Sequence, residues 1–287
     1  MSDVAAHLVD FVLPHAPTRQ WVLSMPRAIR FLLARDAKLL GGAHKIFIQE
    51  VFRDLRRRSG VKPAGTARCG AVTAIQRYGG AINLNVHFHS MVLDGVYVAD
   101  GRSDELRFMP LNPPSQEDLD RVLERVVKRI GDFLARKGYA GFGDPGGDGF
   151  EDQDLLAWVQ AASIREWTTL SDPPHKVDVI GRRGPGEGPD WVEKPFTAEN
   201  GSWSLHAGVR IRKGDRKGLE QLCRYLLRPP FAEERLERLP DGRVLYRFRR
   251  PRVDGSTHLI LEPVELLEKL AALIPPPRAH LVSLAGL

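Results

Sequence analysis

The sequence predicts an α+β protein, with antiparallel strand pairs, separate amphipathic helices and no repeating strand–helix unit. Two β-rich runs, residues 68–78 and 83–95, flank Gly79-Gly80 as the arms of an antiparallel hairpin would. Apolar residues recur at helical spacing over 27–40, 43–58, 115–137 and 215–227. No internal repeat is visible, and the short Gly-Gly hairpin argues against a barrel of successive strand–helix units. With 287 residues, 43% hydrophobic and 27% charged, the chain is long enough to bury a real core. Four stretches make up its expected organisation within one domain. Residues 1–60 hold a strand and two helices, 61–137 the hairpin and a helix. Residues 138–201 hold a connector, a helix and a flexible insertion, and 202–287 a further helix, a basic hairpin and a last helix.

Element by element, residues 1–18 read as a short helix and a proline-punctuated connector, and 19–26 as a strand ended by Pro26. Gly41-Gly42 is expected to separate the helices 27–40 and 43–58. After Tyr97 come a turn at 100–103 and a short strand at 106–109. Ser115 caps the helix 115–137, with Asp118 three residues on as a capping-box variant. Residues 138–149 are a Gly/Asp-rich connector and 151–167 a helix. The Pro-, Gly- and charge-rich stretch 171–201 reads as a surface excursion or partly disordered loop. An alternating strand at 202–212 leads to a helix at 215–227, stopped by Pro229-Pro230. A hairpin turns at 240–242, a strand follows at 258–261 and a helix at 262–273. Pro275-Pro276-Pro277 and a short apolar tail close the chain.

Composition narrows the function classes. Cys69 and Cys223 are the two cysteines, so neither a disulfide framework nor a cysteine-rich zinc motif is available, and a cytoplasmic setting is expected. No apolar run is long enough to span a membrane, and no P-loop binds a nucleotide cofactor. The 42 Lys+Arg outnumber the 36 Asp+Glu, and arginine suits phosphate recognition.

The candidate chemistry centres on Asn85-Val86-His87-Phe88-His89. Side chains alternate along a strand, so His87 and His89 share one face and Phe88 takes the other. Two imidazoles held so can ligate a metal, or can be two satisfied histidines in a sheet. A hairpin turn near Ala81 sets Gln76 opposite His87, as a third ligand through its amide oxygen or as a polar cross-strand contact. In the helix 215–227, Leu219, Leu222, Cys223, Leu226 and Leu227 form one stripe at about 100° per residue. Tyr225 lies off it, on a face with Gln221 and Arg228, which suits a hydroxyl in a polar place or a tyrosine with a wet OH. Arg56, Arg57 and Arg58 end a helix, either facing phosphate or complementing the helix dipole. Arg247 and Arg249 add a second basic group on the hairpin strand.

These residues resemble the HUH endonucleases, and within them transposases of the IS91 type. The resemblance lies in Gln20-Trp21-Val22-Leu23-Ser24-Met25-Pro26, residues 85–95, Cys223-Arg224-Tyr225-Leu226-Leu227-Arg228-Pro229-Pro230 and Pro275-Pro276-Pro277-Arg278-Ala279-His280-Leu281. It implies an RRM-like antiparallel sheet with helices on one face and added helical and loop insertions. It also implies an Mg²⁺- or Mn²⁺-dependent nickase and strand-transferase of rolling-circle-type transposition, acting on single-stranded or hairpin DNA at transposon ends. His87 and His89 carry over as metal ligands, with Gln76 as the third on hairpin geometry. Tyr225 carries over as the nucleophile that becomes 5′-phosphotyrosyl. The basic set Arg56, Arg57, Arg58, Arg228, Arg247 and Arg249 is assigned to DNA. The IS91 type has two tyrosines one helical turn apart, yet positions 221 and 229 are Gln and Pro. The zinc-binding N-terminal domain usual in the family has no counterpart, so a truncated or remnant transposase is expected. A remnant that binds DNA without cutting it is the alternative.

Overall fold

A computed structural model describes residues 2–99, 105–139, 155–170, 173, 175–180, 195–252 and 254–286. The chain opens with α1 (Ser2–His7), which runs into a π-helical turn (Leu8–Val12), then β1 (Thr18–Ser24). Helices α2 (Arg27–Arg35) and α3 (Ala37–Ser59) precede the hairpin of β2 (Gly70–Tyr78) and β3 (Leu84–Leu93). A second hairpin, β4 (Gly95–Ala99) and β5 (Leu106–Pro110), leads to α4 (Gln116–Arg136) and α5 (Leu155–Arg165). Short strands follow: β6 (Asp178–Ile180), β7 (Thr197–Asn200), β8 (Trp203–His206) and β9 (Arg210–Ile211). The remainder is α6 (Arg216–Leu226), β10 (Leu236–Arg238), β11 (Val244–Arg247), β12 (His258–Leu261), α7 (Pro263–Ala272) and β13 (Val282–Gly286).

The fold is α+β, with antiparallel sheets. The main sheet has seven strands in the order β13-β2-β3-β1-β8-β7, with β9 also on β1. A smaller sheet runs β10-β11-β12-β6, and β4 pairs with β5. The period of two divides the main sheet between two apolar clusters. Leu23, Ile75, Val86 and Phe88 face the larger one, with Leu33, Phe47 and Val51 of α2 and α3 and Val122 and Val126 of α4. Val72, Ala74 and Met91 face the smaller one, which α1 and α6 close with Ala5, Leu222, Cys223 and Leu226. Helices therefore cover both faces, not one as the family resemblance implied. The histidines point to the α6 side, just beyond the end of that smaller apolar cluster.

The helix break falls at Asp36, not at Gly41-Gly42, which lie within α3. Asp36 is extended, and its Oδ1 accepts from the amides of Lys38 and Leu39, so a capping side chain overrides the glycine pair. Gly42 has a packing role: a Cβ there would lie 2.3 Å from Cζ of Phe133 on α4. The 115–137 expectation holds, with the Ser115–Asp118 capping box formed in both directions. Within 171–201, β6 and β7 replace the expected loop, because β12 and β8 supply partners distant in sequence for β6 and adjacent for β7. The apolar tail forms β13 on β2, likewise through long-range pairing. The expected strand at 202–212 is split at Ala207-Gly208 into β8 and β9. The 100–103 turn, most of the 138–149 connector, residues 151–154 of the helix 151–167 and the run 181–189 lie outside the described residues. Among the described residues no helix is long and apolar enough to cross a membrane.

Candidate active site

The hairpin has the register that the sequence suggested. Gln76 pairs with His87 across β2 and β3, and Ser24 of β1 pairs with His87 from the other side. Gln76, Asn85, His87 and His89 therefore share the face that α6 covers. The two imidazole centroids are 4.7 Å apart. Helix α6 lays its buried stripe, Leu222, Cys223 and Leu226, on Val72, Ala74 and Met91, and this turns Tyr225 toward the histidines. The Tyr225 ring meets His89 edge-on, with centroids 5.9 Å apart. The off-stripe position of Tyr225 thus brings its ring to the site. It is 36% exposed, and its hydroxyl has no hydrogen-bond partner among the described residues.

Hydrogen bonds fix how most of these groups present themselves. The Gln76 Nε2 donates to the Leu226 carbonyl at 2.9 Å, tying the end of α6 to the sheet. Only the nitrogen end of an amide can donate there, so Oε1 is left as an acceptor, buried and without a partner among the described residues. His87 Nδ1 lies 2.7 Å from the Asn85 carbonyl, which requires a proton on Nδ1 and leaves the lone pair on Nε2. His89 Nδ1 lies 2.9 Å from Gln20 Nε2 on β1, and His89 Nε2 is buried without a partner among the described residues. The Oδ1 of Asn85 is also buried and unpaired. Burial is the main cause that lowers the pKa of His87 to about 4 and of His89 to about 3. The nearby Arg228 guanidinium acts in the same direction on both, Arg30 on His87 alone, and His87 on His89. Both rings are neutral at neutral pH.

An open cavity of about 1010 Å³ lies beside this cluster. His89, Tyr225, Gln20, Asn85 and Tyr78 line it, as do Arg27, Arg30, Arg228, Arg235, Arg249, Arg250 and Arg252. Arg252 is paired with Glu166 through both nitrogens (2.8 and 2.6 Å). The other six arginines meet no carboxylate among the described residues. Arg228 stands over the Tyr225 ring (4.6 Å) and near the Tyr78 ring (5.9 Å), its Nε buried and unpaired. Arg249 approaches Tyr225 from the bend that follows β11 (6.0 Å). The Tyr78 hydroxyl donates to the Arg228 carbonyl at 2.6 Å, so of these two tyrosines Tyr225 keeps its hydroxyl unengaged. Gln76 faces a neighbouring cavity of about 230 Å³ at the end of α6.

The structure does not bring every candidate together. His87, His89, Gln76, Tyr225, Arg228 and Arg249 gather here. Arg247 is exposed on β11 and does not line the cavity. Arg56, Arg57 and Arg58 lie at the end of α3 in structural contacts: Arg56 Nε donates to the Ala67 carbonyl, Arg57 pairs with Asp54 and Asp118, and Arg58 with Asp54. Sequence reasoning missed Gln20, Arg27, Arg30 and Tyr78. Gln20 lay within a motif already singled out, but as a strand residue. The arginines carried no signal, because a helix start at residue 27 does not reveal that its first turn faces a cavity.

Among the described residues no group of three or more His, Cys, Asp or Glu is arranged to hold a metal ion. A cation at this sheet face would draw on two imidazole nitrogens and amide oxygen, a donor set suited to a small divalent ion with further oxygen ligands. The Nε2 lone pair of His87 and the orphaned Oε1 of Gln76 fit such an occupant.

Fold and site define an α+β protein with a sheet-borne histidine pair, a helix-borne tyrosine and an arginine-lined cavity. Residues 70–287, more than half of the chain, match the family model Y2_Tnp, described as "Putative transposase", and the chain belongs to this transposase family. No curated protein and no solved structure matches it.

Proposed function

We propose that this chain is a divalent-metal-dependent nickase and strand-transferase for single-stranded or hairpin DNA, of the HUH type and similar to IS91 transposases. Transposition requires DNA cleavage and joining, and the site offers one way to do both. The observation that carries the reading is the convergence on one sheet face of the His87 Nε2 lone pair, the unpaired buried Oε1 of Gln76 and the His89 ring, beside the Tyr225 ring. A divalent cation held by His87, His89 and Gln76 would withdraw charge from a phosphate oxygen and orient the phosphorus.

Tyr225 is the nucleophile. Its oxygen forms the bond to phosphorus while the bond to the 3′ oxygen breaks, and the phenol proton is lost as the departing oxygen gains one. The products are a 5′-phosphotyrosyl strand and a free 3′ hydroxyl, which can attack in reverse to rejoin. Arg228 over the Tyr225 ring stabilises the negative charge of the attached phosphate. Arg27, Arg30, Arg249 and Arg250 hold flanking phosphates, and Tyr78 and Phe248 offer faces for unpaired bases. Neutral His87 keeps its Nε2 lone pair for the cation at physiological pH, and neutral His89 offers one there when its ring proton rests on Nδ1.

The test incubates end-labelled single-stranded DNA with the protein and Mn²⁺ and resolves the product under denaturing conditions. The reading expects a protein–DNA adduct that chelator abolishes and Tyr225→Phe abolishes. Salt-sensitive DNA binding with no adduct would favour the DNA-binding remnant. An adduct that survives Tyr225→Phe would refute the assignment of the nucleophile.

A further inference from the structure

The two histidines are held in different ways. His87 meets a backbone carbonyl, which can only accept, so its Nε2 always carries the lone pair. His89 meets the side-chain amide of Gln20, which can present either end. With Nε2 of Gln20 at 2.9 Å the amide donates, His89 Nδ1 accepts, and the ring proton sits on His89 Nε2. That N–H is then buried with no acceptor. In this arrangement His89 cannot ligate a cation through Nε2.

A half-turn of the Gln20 amide changes this. Its Oε1 then accepts from Nδ1–H, the ring proton moves from Nε2 to Nδ1 through solvent, and the Nε2 lone pair opens toward the cavity. No net proton is gained or lost. Gln76 cannot turn in the same way, because the Leu226 carbonyl holds its nitrogen end. Gln20 can, since among the described residues its side chain hydrogen-bonds to His89 alone, and it lines the cavity. After the turn its NH₂ faces that cavity and can donate to a phosphate oxygen.

We propose that Gln20 is the positioning residue that decides whether His89 is a metal ligand, by offering Nδ1 an amide oxygen or an amide nitrogen. The proposal rests on the metal-site reading given under the proposed function. A glutamine allows both states, whereas a carboxylate at position 20 would fix the ligating one. Such outer partners of metal-bound histidines set ring tautomer and basicity.

The experiment uses the full chain, ¹⁵N-labelled, as wild type, Gln20→Glu and Gln20→Met. Long-range ¹H–¹⁵N correlation reads the His89 tautomer without metal and with Mg²⁺, and calorimetry reads Mn²⁺ affinity. Metal-free wild type is expected to show His89 protonated on Nε2 and His87 on Nδ1, with Mg²⁺ shifting His89 to Nδ1. Gln20→Glu should show the Nδ1 form without metal and bind Mn²⁺ at least as tightly as wild type. Gln20→Met should lose about 10- to 100-fold in Mn²⁺ affinity. Rescue by Glu separates this from a packing effect, which both substitutions would cause. A His89 tautomer indifferent to residue 20, or unchanged affinity in Gln20→Met, would overturn the Gln20 assignment alone. Failure of wild type to bind Mn²⁺ would overturn the metal-site reading itself.

Discussion

Gln76→Leu separates a ligand from a strut. The substitution removes the bond from Nε2 to the Leu226 carbonyl and leaves that helix-end oxygen unpaired, at a cost of about 1–3 kcal/mol. It also deletes Oε1, whose burial without a partner carries a penalty of about 1–3 kcal/mol in wild type. The two terms oppose, so the metal-free protein should change in unfolding free energy by less than about 1 kcal/mol. Mn²⁺ affinity, in contrast, should fall at least about tenfold, the scale known even for outer partners of a metal site. Urea denaturation and calorimetric titration read the two quantities on the same preparation. A loss of roughly 3 kcal/mol in stability with unchanged Mn²⁺ affinity would refute the reasoning and leave Gln76 as a latch for α6.

Burial holds His87 at about 4 and His89 at about 3, below the ordinary imidazole value, so pH has a defined effect. Both rings stay neutral in the folded chain as pH falls, so Mn²⁺ affinity should be flat down to about pH 5. The unfolded chain takes up those protons from about pH 6.5 downward, so folding stability should fall from there toward pH 4. Loss of Mn²⁺ binding with a midpoint near 6.5 would contradict the burial account. Arg249→Ala should weaken single-stranded DNA binding and reduce its salt slope by about one phosphate contact, whereas Arg57→Ala should leave DNA binding unchanged, both read by titration at several salt concentrations. Gly95→Ala should destabilise the fold by about 1–3 kcal/mol in urea denaturation. Its Cβ would lie 2.3 Å from the Met109 carbonyl, which β4–β5 pairing holds in place.

Legibility followed the range of the interactions. Period-two alternation with a Gly-Gly turn is local, and it placed His87, His89 and Gln76 in the register observed. The period of 3.6 residues is local too, and it marked Tyr225 as lying off the packed stripe of α6. The failures were non-local. Nothing near 282–286 reports that β2 is there to pair with it, and β6 depends on β12 about eighty residues later. Of the three arginines ending α3, Arg57 and Arg58 pair with Asp54 three and four residues earlier, a local partner that was legible. The Asp118 that also meets Arg57 comes from α4, and the carbonyl that Arg56 meets is that of Ala67. Conversely, Arg27 and Arg30 gain their meaning from a cavity that α6 and the smaller sheet complete around them. Asp36 was legible in principle, since a capping side chain two and three residues before free amides is a local device. The glycine pair drew attention away from it.

The central claim is that Tyr225 is the covalent nucleophile, in a cavity that Tyr78 and Tyr246 also line. The direct measurement is mass spectrometry of the protease-digested adduct formed with single-stranded DNA and Mn²⁺. The account predicts a nucleotide 5′-phosphate on the peptide that begins at Tyr225, and none on the peptides holding Tyr78 or Tyr246. Modification of either of those tyrosines, with Tyr225 unmodified, would contradict it.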